Sequence, residues 1–508
     1  MKTNIKLAAI ITYASVFLGV IISLGSTPFI VSTLGKSEYG LFSLVNSIIA
    51  YIVLLDLGFG SAVIRFNAKY ISENDATGQR NINGMFLLLF SAIGLVSFLA
   101  SLILVLNFGS IFGSLHEKEL SILKQIFIIA AVNVAVSFPL NIFSSIITAY
   151  ERFVYLKIIN LIRVVLSPAM MVLVLVFGFR STGMVTVALV LNLAIGVLNV
   201  VFCRTKLNLK VRFHGFDTKL FKEIFSYSSY ILLSSIAFQI YTNADPLIIG
   251  MFLGAMPIAV FAIAAQLNTY ILNFSNVLAS FYLPKLTKMI VKGADQAALM
   301  LELVKIGRIQ ALIVGYIVSG FVIFGQSFIL IWLGEGYRHA YTIALIIIIP
   351  QITSIVQSLF ATMLEAMNMH RVKAFIYFSV AVLKVALTFW FIRIWGITGC
   401  AVATAIGMII NVCLNNIYYK YKLKFDILHF WLQILRVFTP VVVLTVLGIL
   451  LLSFVSITSY LYLGLYVVLY SLIYALTMWL FGLNAAEKQM VAGPVRKIAL
   501  RGQAQGSR

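Results

Sequence analysis

Apolar residues in this chain do not alternate with polar ones; they run on for about 18 or more positions at a time, from one end to the other. Runs of that length match the roughly 20 residues a helix needs to cross a hydrocarbon core about 30 Å thick. A membrane barrel would show alternating segments of roughly 10 residues instead. Dividing the runs at charges and at Gly, Asn and Pro clusters predicts fourteen spans. They cover 7–33, 40–64, 84–108, 125–149, 153–178, 181–202, 224–253, 257–283, 309–333, 340–364, 374–395, 397–419, 431–453 and 458–482. The pattern therefore predicts an all-α polytopic membrane protein.

Composition agrees. Of 508 residues, 62% are apolar and 10% charged, against about 25% charged in soluble domains. The net charge of +21 changes the picture only through where it sits. With the N-terminus inside, 28 of the 37 Lys and Arg residues fall in inner segments, six in outer loops and three within spans. That asymmetry places both termini in the cytoplasm and removes any need for a nucleic-acid partner. The outer loops are short, which argues against a membrane polymerase or ligase of the kind that works on a large external loop. Three scattered cysteines and five scattered histidines predict neither a disulfide framework nor a metal site. Gly35-Lys36-Ser37 imitates the end of a phosphate-binding loop, but Ile30 stands where the first glycine belongs, and no catalytic grouping emerges.

The second half echoes the first. Pro28 to Gly35 matches Pro246 to Gly254 with one inserted residue, Thr182-Gly183-Met184 aligns with Thr398-Gly399-Cys400, and Asn199 with Asn415. Ordered matches at one offset predict a duplication of six spans, hence two parallel six-helix lobes followed by two extra helices. The boundaries are an N-lobe over 1–205, a basic cytoplasmic loop over 206–223, a C-lobe over 224–420, spans 13 and 14 over 421–482, and a basic cytoplasmic tail over 483–508. Parallel repeats put a substrate site between the halves near the midplane, where rocking alternates access.

Charges at membrane depth cost roughly 2.5–3.5 kcal/mol on insertion scales, so each is a functional candidate. Arg163 and Lys384 each lie about ten residues into repeat-partner spans 5 and 11. Facing a common cavity, two cations would attract an anionic substrate; the plainer alternative pairs each with a carboxylate or carbonyls. Asp56 in span 2 and Asp245 in span 7 are the deep acids, suited to ion coupling or to a counter-ion role. Asp245 precedes Pro246, which breaks helical bonding and frees carbonyls for a cation or water. Arg65 sits at a cytoplasmic end, where snorkelling is cheap.

Three segments carry a resemblance. Leu55-Asp56-Leu57-Gly58-Phe59-Gly60-Ser61-Ala62-Val63-Ile64-Arg65-Phe66 resembles the span-2 signature of bacterial polysaccharide exporters. So do Pro28 to Gly35 with Glu38-Tyr39-Gly40, and Asp245 to Gly254 opening the second half. Together with the length and the 6+6+2 arrangement, these resemble Wzx-type O-antigen flippases, in the multidrug/oligosaccharidyl-lipid/polysaccharide superfamily. The resemblance implies a MATE-like fold in the bacterial inner membrane. It also implies outward translocation of undecaprenyl-pyrophosphate-linked repeat units for surface polysaccharide or lipopolysaccharide biosynthesis. Spans 13 and 14 would help form a groove for the polyprenyl tail. Arg163, Lys384 and Arg65 then become cavity residues, and Asp56 and Asp245 coupling acids or counter-ions. No cofactor is expected beyond a coupling H+ or Na+. The partners are the lipid-linked glycan, the bilayer, and a polymerase with other glycan-assembly proteins. A MATE-type multidrug antiporter and a peptidoglycan-precursor flippase are the alternatives.

Overall fold

A computed structural model describes residues 5–211, 218–367, 369–452, 455, 457–485 and 487–489. The central part of the predicted basic loop and nearly all of the basic tail lie outside the described residues. Among the described residues all regular structure is helical. In order the helices are α1 Ile5–Ile52, α2 Phe59–Ser72, α3 Ala76–Ile111, α4 Glu117–Ala149, α5 Phe153–Val176, α6 Arg180–Lys206 and α7 Thr218–Phe252. They continue as α8 Ala255–Val291, α9 Gln296–Leu333, α10 Arg338–Val356, α11 Ser358–Ala366, α12 His370–Tyr421, α13 Ile427–Leu452 and α14 Tyr460–Thr477.

Eleven helical segments among the described residues are long and apolar enough to cross a membrane. Two of them make two passes each. α1 is interrupted at Gly35 (φ 75°, ψ 168°). One side chain, Gln266, donates to Ser23 Oγ at 2.9 Å while accepting from the Tyr39 hydroxyl at 3.4 Å. In a straight helix Ser23 and Tyr39 would stand about 24 Å apart, so the chain must fold back at Gly35. By the same argument α12 turns at Gly396 (φ 56°), because Lys384 and Thr404 meet on one oxygen of Asp245. At 35 residues, α7 is about 52 Å long and supplies the remaining pass. Each predicted span is thus met by helix.

The repeat is legible in the turns. Gly35 and Gly254, the matched glycines of the sequence repeat, both have positive φ, as do Gly178 and Gly396 at the turns after spans 5 and 11. At the turns before α3 and α9 Asn74 and Gly293 do likewise, and each is followed by an Asp cap, Asp75 on α3 and Asp295 on α9.

The chain divides into two compact units. The first is Met1–Leu267 with Arg371–Gly407, so it cuts across the sequence repeat. Small residues bring its helices close: Gly94 of α3 lies against Ala135 of α4, and Gly40 of α1 against Ala255 at the start of α8. Buried Glu38 accepts from Arg180 Nε at 2.6 Å and from the Ser181 amide at 2.9 Å, fastening the Gly35 turn to the start of α6. The second unit is Asn268–His370 with Met408–Arg508. Its core centres on Phe360, whose ring lies 4.8 Å from Tyr419 and 5.1 Å from Phe430. α13 buries Phe430, Ile434, Val437 and Val441 and exposes Leu435, Val442, Val446 and Leu450. A helix apolar on its outward face as well belongs against hydrocarbon. Arg308 of α9 ties the carboxyl end of α14 to this unit. It donates to both Glu487 oxygens (2.6 and 2.9 Å), to Gly482 O and to Gln433 O.

Candidate functional site

The deep charges are built mostly by broken helices in the first unit. Pro246 has no N–H to return to the turn before it, and this is where α7 receives a foreign donor. Lys384 Nζ, from the first arm of α12, donates to Tyr241 O at 2.6 Å and to Asp245 Oδ2 at 2.8 Å. It also lies 5.1 Å from the Tyr241 ring centroid. The second arm of α12 adds Thr404, whose hydroxyl donates to Asp245 Oδ2 at 3.0 Å. Thr388 stands with its hydroxyl 2.9 Å from Lys384 O and 3.4 Å from Asp245 Oδ1. Gly407 makes room for the lysine stem: a Cβ there would stand 3.3 Å from Lys384 Cβ.

Lys384 is completely inaccessible and Asp245 is 2% exposed. Asp245 precedes the Gly254 turn by nine residues, Lys384 precedes Gly396 by twelve and Thr404 follows it by eight. These offsets put the pair about 12–18 Å from those turns, near the middle of the hydrocarbon. A charge there is tolerable when it is paired and hydrogen-bonded. The arrangement is a net-neutral clasp joining α7 to both arms of α12. The expectation that Lys384 faces a cavity is therefore corrected. Its ammonium is enclosed by the Asp245 carboxylate and the Tyr241 carbonyl, the pairing that the plainer sequence reading foresaw.

Arg163 has a different setting. It is exposed on α5 and makes neither hydrogen bond nor ion pair among the described residues. Asn160, also exposed, and Ser167, half-buried, fall on the same face at helical spacing. The exposed apolar residues Ile158, Ile162, Val165, Leu173 and Val176 fall on the roughly opposite face. α5 thus has two open sides, one wholly apolar and one carrying Arg163 and Asn160 among apolar residues such as exposed Leu166.

Asp56 and Arg65 flank a break that the sequence had not suggested. The predicted span over 40–64 is discontinuous: a 3-10 turn over Val53–Asp56 ends at Leu57 (φ 52°) and Gly58 (φ 76°), after which α2 begins. Half-buried Asp56 has its carboxylate beside Gly60 at the start of α2, a place that the helix dipole makes favourable for negative charge. Arg65 is exposed on α2 beside the Phe66 ring. The two glycines of the Asp56–Ser61 motif were the available signal for this break.

An apolar pocket of about 350 Å³ adjoins the site, lined by Tyr51, Leu55, Leu104, Phe108, Leu247 and Met251 among others. Among the described residues no group of His, Cys, Asp and Glu is arranged to hold a metal ion.

Comparison with known proteins bears on what this architecture serves. A Shigella flexneri protein designated an O-antigen transporter is 21% identical over 412 residues, covering 78% of this chain and 92% of the relative. A Haloferax volcanii protein designated a low-salt glycan biosynthesis flippase is 26% identical over 245 residues, covering 48% of this chain and 51% of the relative. Among solved structures, the lipid II flippase MurJ in an inward closed conformation aligns with a TM-score of 0.68 at 16% identity, over 92% of this chain and 98% of that one. A MATE transporter of the MOP superfamily, inward-facing, aligns with a TM-score of 0.66 at 14% identity, over 82% and 98%. The structural likenesses show a polytopic helical fold shared with those two proteins. A sequence profile described as "Polysaccharide biosynthesis protein" matches residues 8–290, more than half the chain, and by that match the chain belongs to the polysaccharide biosynthesis protein family.

Proposed function

We propose that this protein is a flippase that carries undecaprenyl-pyrophosphate-linked oligosaccharide repeat units from the cytoplasmic to the outer leaflet by alternating access. It would act in the bacterial cytoplasmic membrane with both termini inside, supplying surface polysaccharide assembly. The designations of the Shigella and Haloferax relatives support the substrate class. The observation that carries the reading is Arg163, an exposed guanidinium at membrane depth on α5 without a counter-charge among the described residues. Facing hydrocarbon it would be costly; facing a watered cavity it suits a pyrophosphate, which guanidinium binds in bidentate fashion. Of the two deep acids that a cationic-drug antiporter could use, Asp245 already holds Lys384 and Asp56 sits against the start of α2.

The membrane potential supplies a direction. Moving negative charge outward gains about 2.3 kcal/mol per charge per 100 mV. Where Arg163 offsets part of the ligand's charge, the emptied cationic cavity gains the same amount on its return. Depletion of the protein should accumulate complete repeat units on the cytoplasmic leaflet, and re-expression should clear them. Arg163→Gln, at normal protein level, should fail to clear them while Arg163→Lys restores part of the activity. A normal leaflet distribution on depletion would overturn the assignment. Accumulation of peptidoglycan precursor alone would move it to that lipid.

A further inference from the structure

The surroundings of Lys384 Nζ have the character of an ion site. The ammonium meets a carboxylate, Asp245, and a carbonyl, Tyr241 O, and the hydroxyls of Thr404 and Thr388 stand against the same carboxylate, so the groups are all oxygen. They come from three helical segments, at the position where a proline has disturbed α7, and they carry one formal negative charge. Oxygen donors alone are the preference of hard cations, and a single carboxylate balances a single positive charge. The ammonium reaches this place on a stem laid beside Gly407 and the Tyr241 ring, so the fold makes room for the whole side chain.

We propose that Lys384 is a tethered cation occupying what is otherwise an alkali-cation site, and that Asp245 consequently binds no Na+ in this protein. A carrier that couples to Na+ must gain and lose the ion as it cycles. An ammonium fixed to the chain cannot leave, so the charge at this locus stays constant through the cycle. The drive for transport then arises elsewhere. The inference does not depend on the identity of the substrate.

The test uses the full chain purified in detergent, without substrate, and compares Na+ with N-methylglucamine at equal ionic strength. The thermal midpoint of the native protein should be the same in both. Lys384→Ala opens the volume of the stem and leaves Asp245 uncompensated. Its midpoint should be lowered in N-methylglucamine and raised saturably by Na+, by on the order of 3 °C at ~100 times Kd. Lys384→Met, which refills the volume, should be lowered and insensitive to Na+. Lys384→Ala combined with Asp245→Asn should lose the Na+ response.

A saturable Na+ response in the native protein would overturn the proposal, as would its absence in folded Lys384→Ala. Failure to recover either Lys384→Ala or Lys384→Ser in Na+ would also overturn it. These readouts involve no lipid-linked glycan. A negative result here therefore leaves the flippase assignment to its own leaflet test, and the reverse.

Discussion

If the Asp245–Lys384 pair is a closed clasp, the two residues should be strongly non-additive. Lys384→Met leaves a carboxylate buried with only hydroxyl partners, and Asp245→Leu leaves an ammonium on one carbonyl and one ring. Either break of a buried pair costs about 3–5 kcal/mol. With an unfolding entropy of about 2.1 cal/mol/K per residue, 508 residues convert each loss to a fall of roughly 3–5 °C. The double variant removes both charges. Thr404 can then turn its hydroxyl to a carbonyl in its own helix, and the residual cost falls to about 1–2 kcal/mol, chiefly the Tyr241 carbonyl left without its donor. The cycle should thus give a coupling of at least about 3 kcal/mol. Neutral polar contacts between membrane helices average only about 0.6 kcal/mol, so the two cases separate cleanly. Thermal unfolding of the four proteins in detergent and N-methylglucamine chloride measures the coupling. A value below about 1 kcal/mol would refute the clasp, since Asp245 and Lys384 would then have to be solvated separately.

Other parts of the chain give sharper contrasts between neighbouring positions. A Cβ at Gly40 would fall 2.0 Å from the Ala255 carbonyl oxygen, while one at Gly25 meets nothing within 4 Å. Gly40→Ala should therefore lower the melting midpoint and surface glycan by forcing α1 and α8 apart, at about 1–3 kcal/mol, and Gly25→Ala should leave both near normal. Gly35 has dihedrals that side-chain-bearing residues rarely adopt, so Gly35→Ala should cost about 1–3 kcal/mol although no atom obstructs its Cβ. Burial pushes the Glu487 carboxyl up, but the Arg308 guanidinium and the Asn484 amide outweigh it and hold the carboxyl below its usual 4.5. A carboxyl lowered on folding stabilises fully above its unfolded value and loses that contribution as pH falls through the folded one. Melting of the native protein should accordingly steepen below about pH 4.5, and Glu487→Gln should be less stable at neutral pH with a flatter acid limb.

Much of the fold was legible because the bilayer imposes a simple code. Hydrocarbon excludes charge, so apolar run length located the helices. The matched Gly35 and Gly254 marked turns that only the structure could identify as positive-φ positions. The break in span 2 was missed because Leu57 sits in left-handed conformation inside an apolar run, where periodicity says nothing about backbone geometry. The clasps of Lys384 on Asp245 and Arg308 on Glu487 were also hidden. Their partners are 139 and 179 residues apart, and nothing in an apolar helix specifies which distant face it will meet.

One asymmetry was nevertheless written in the repeat. Each half carries a cation midway along its fifth span, Arg163 and Lys384, and by sequence alone they look equivalent. The prolines Pro28 and Pro246 are matched, but the residue before them differs: Thr27 in the first half, Asp245 in the second. Thr27 donates its hydroxyl to Ser23 O and accepts from Gln266, neutral contacts that offer no counter-charge to an arginine. Asp245, at the matching place, captures the lysine of its own half. The duplicated scaffold therefore placed two cations at similar depth, and a single acid beside one proline separated their fates. One is enclosed as an internal strut on Asp245. The other is exposed on α5 without a counter-charge among the described residues, and under the proposed flippase reading an anionic substrate would be its partner.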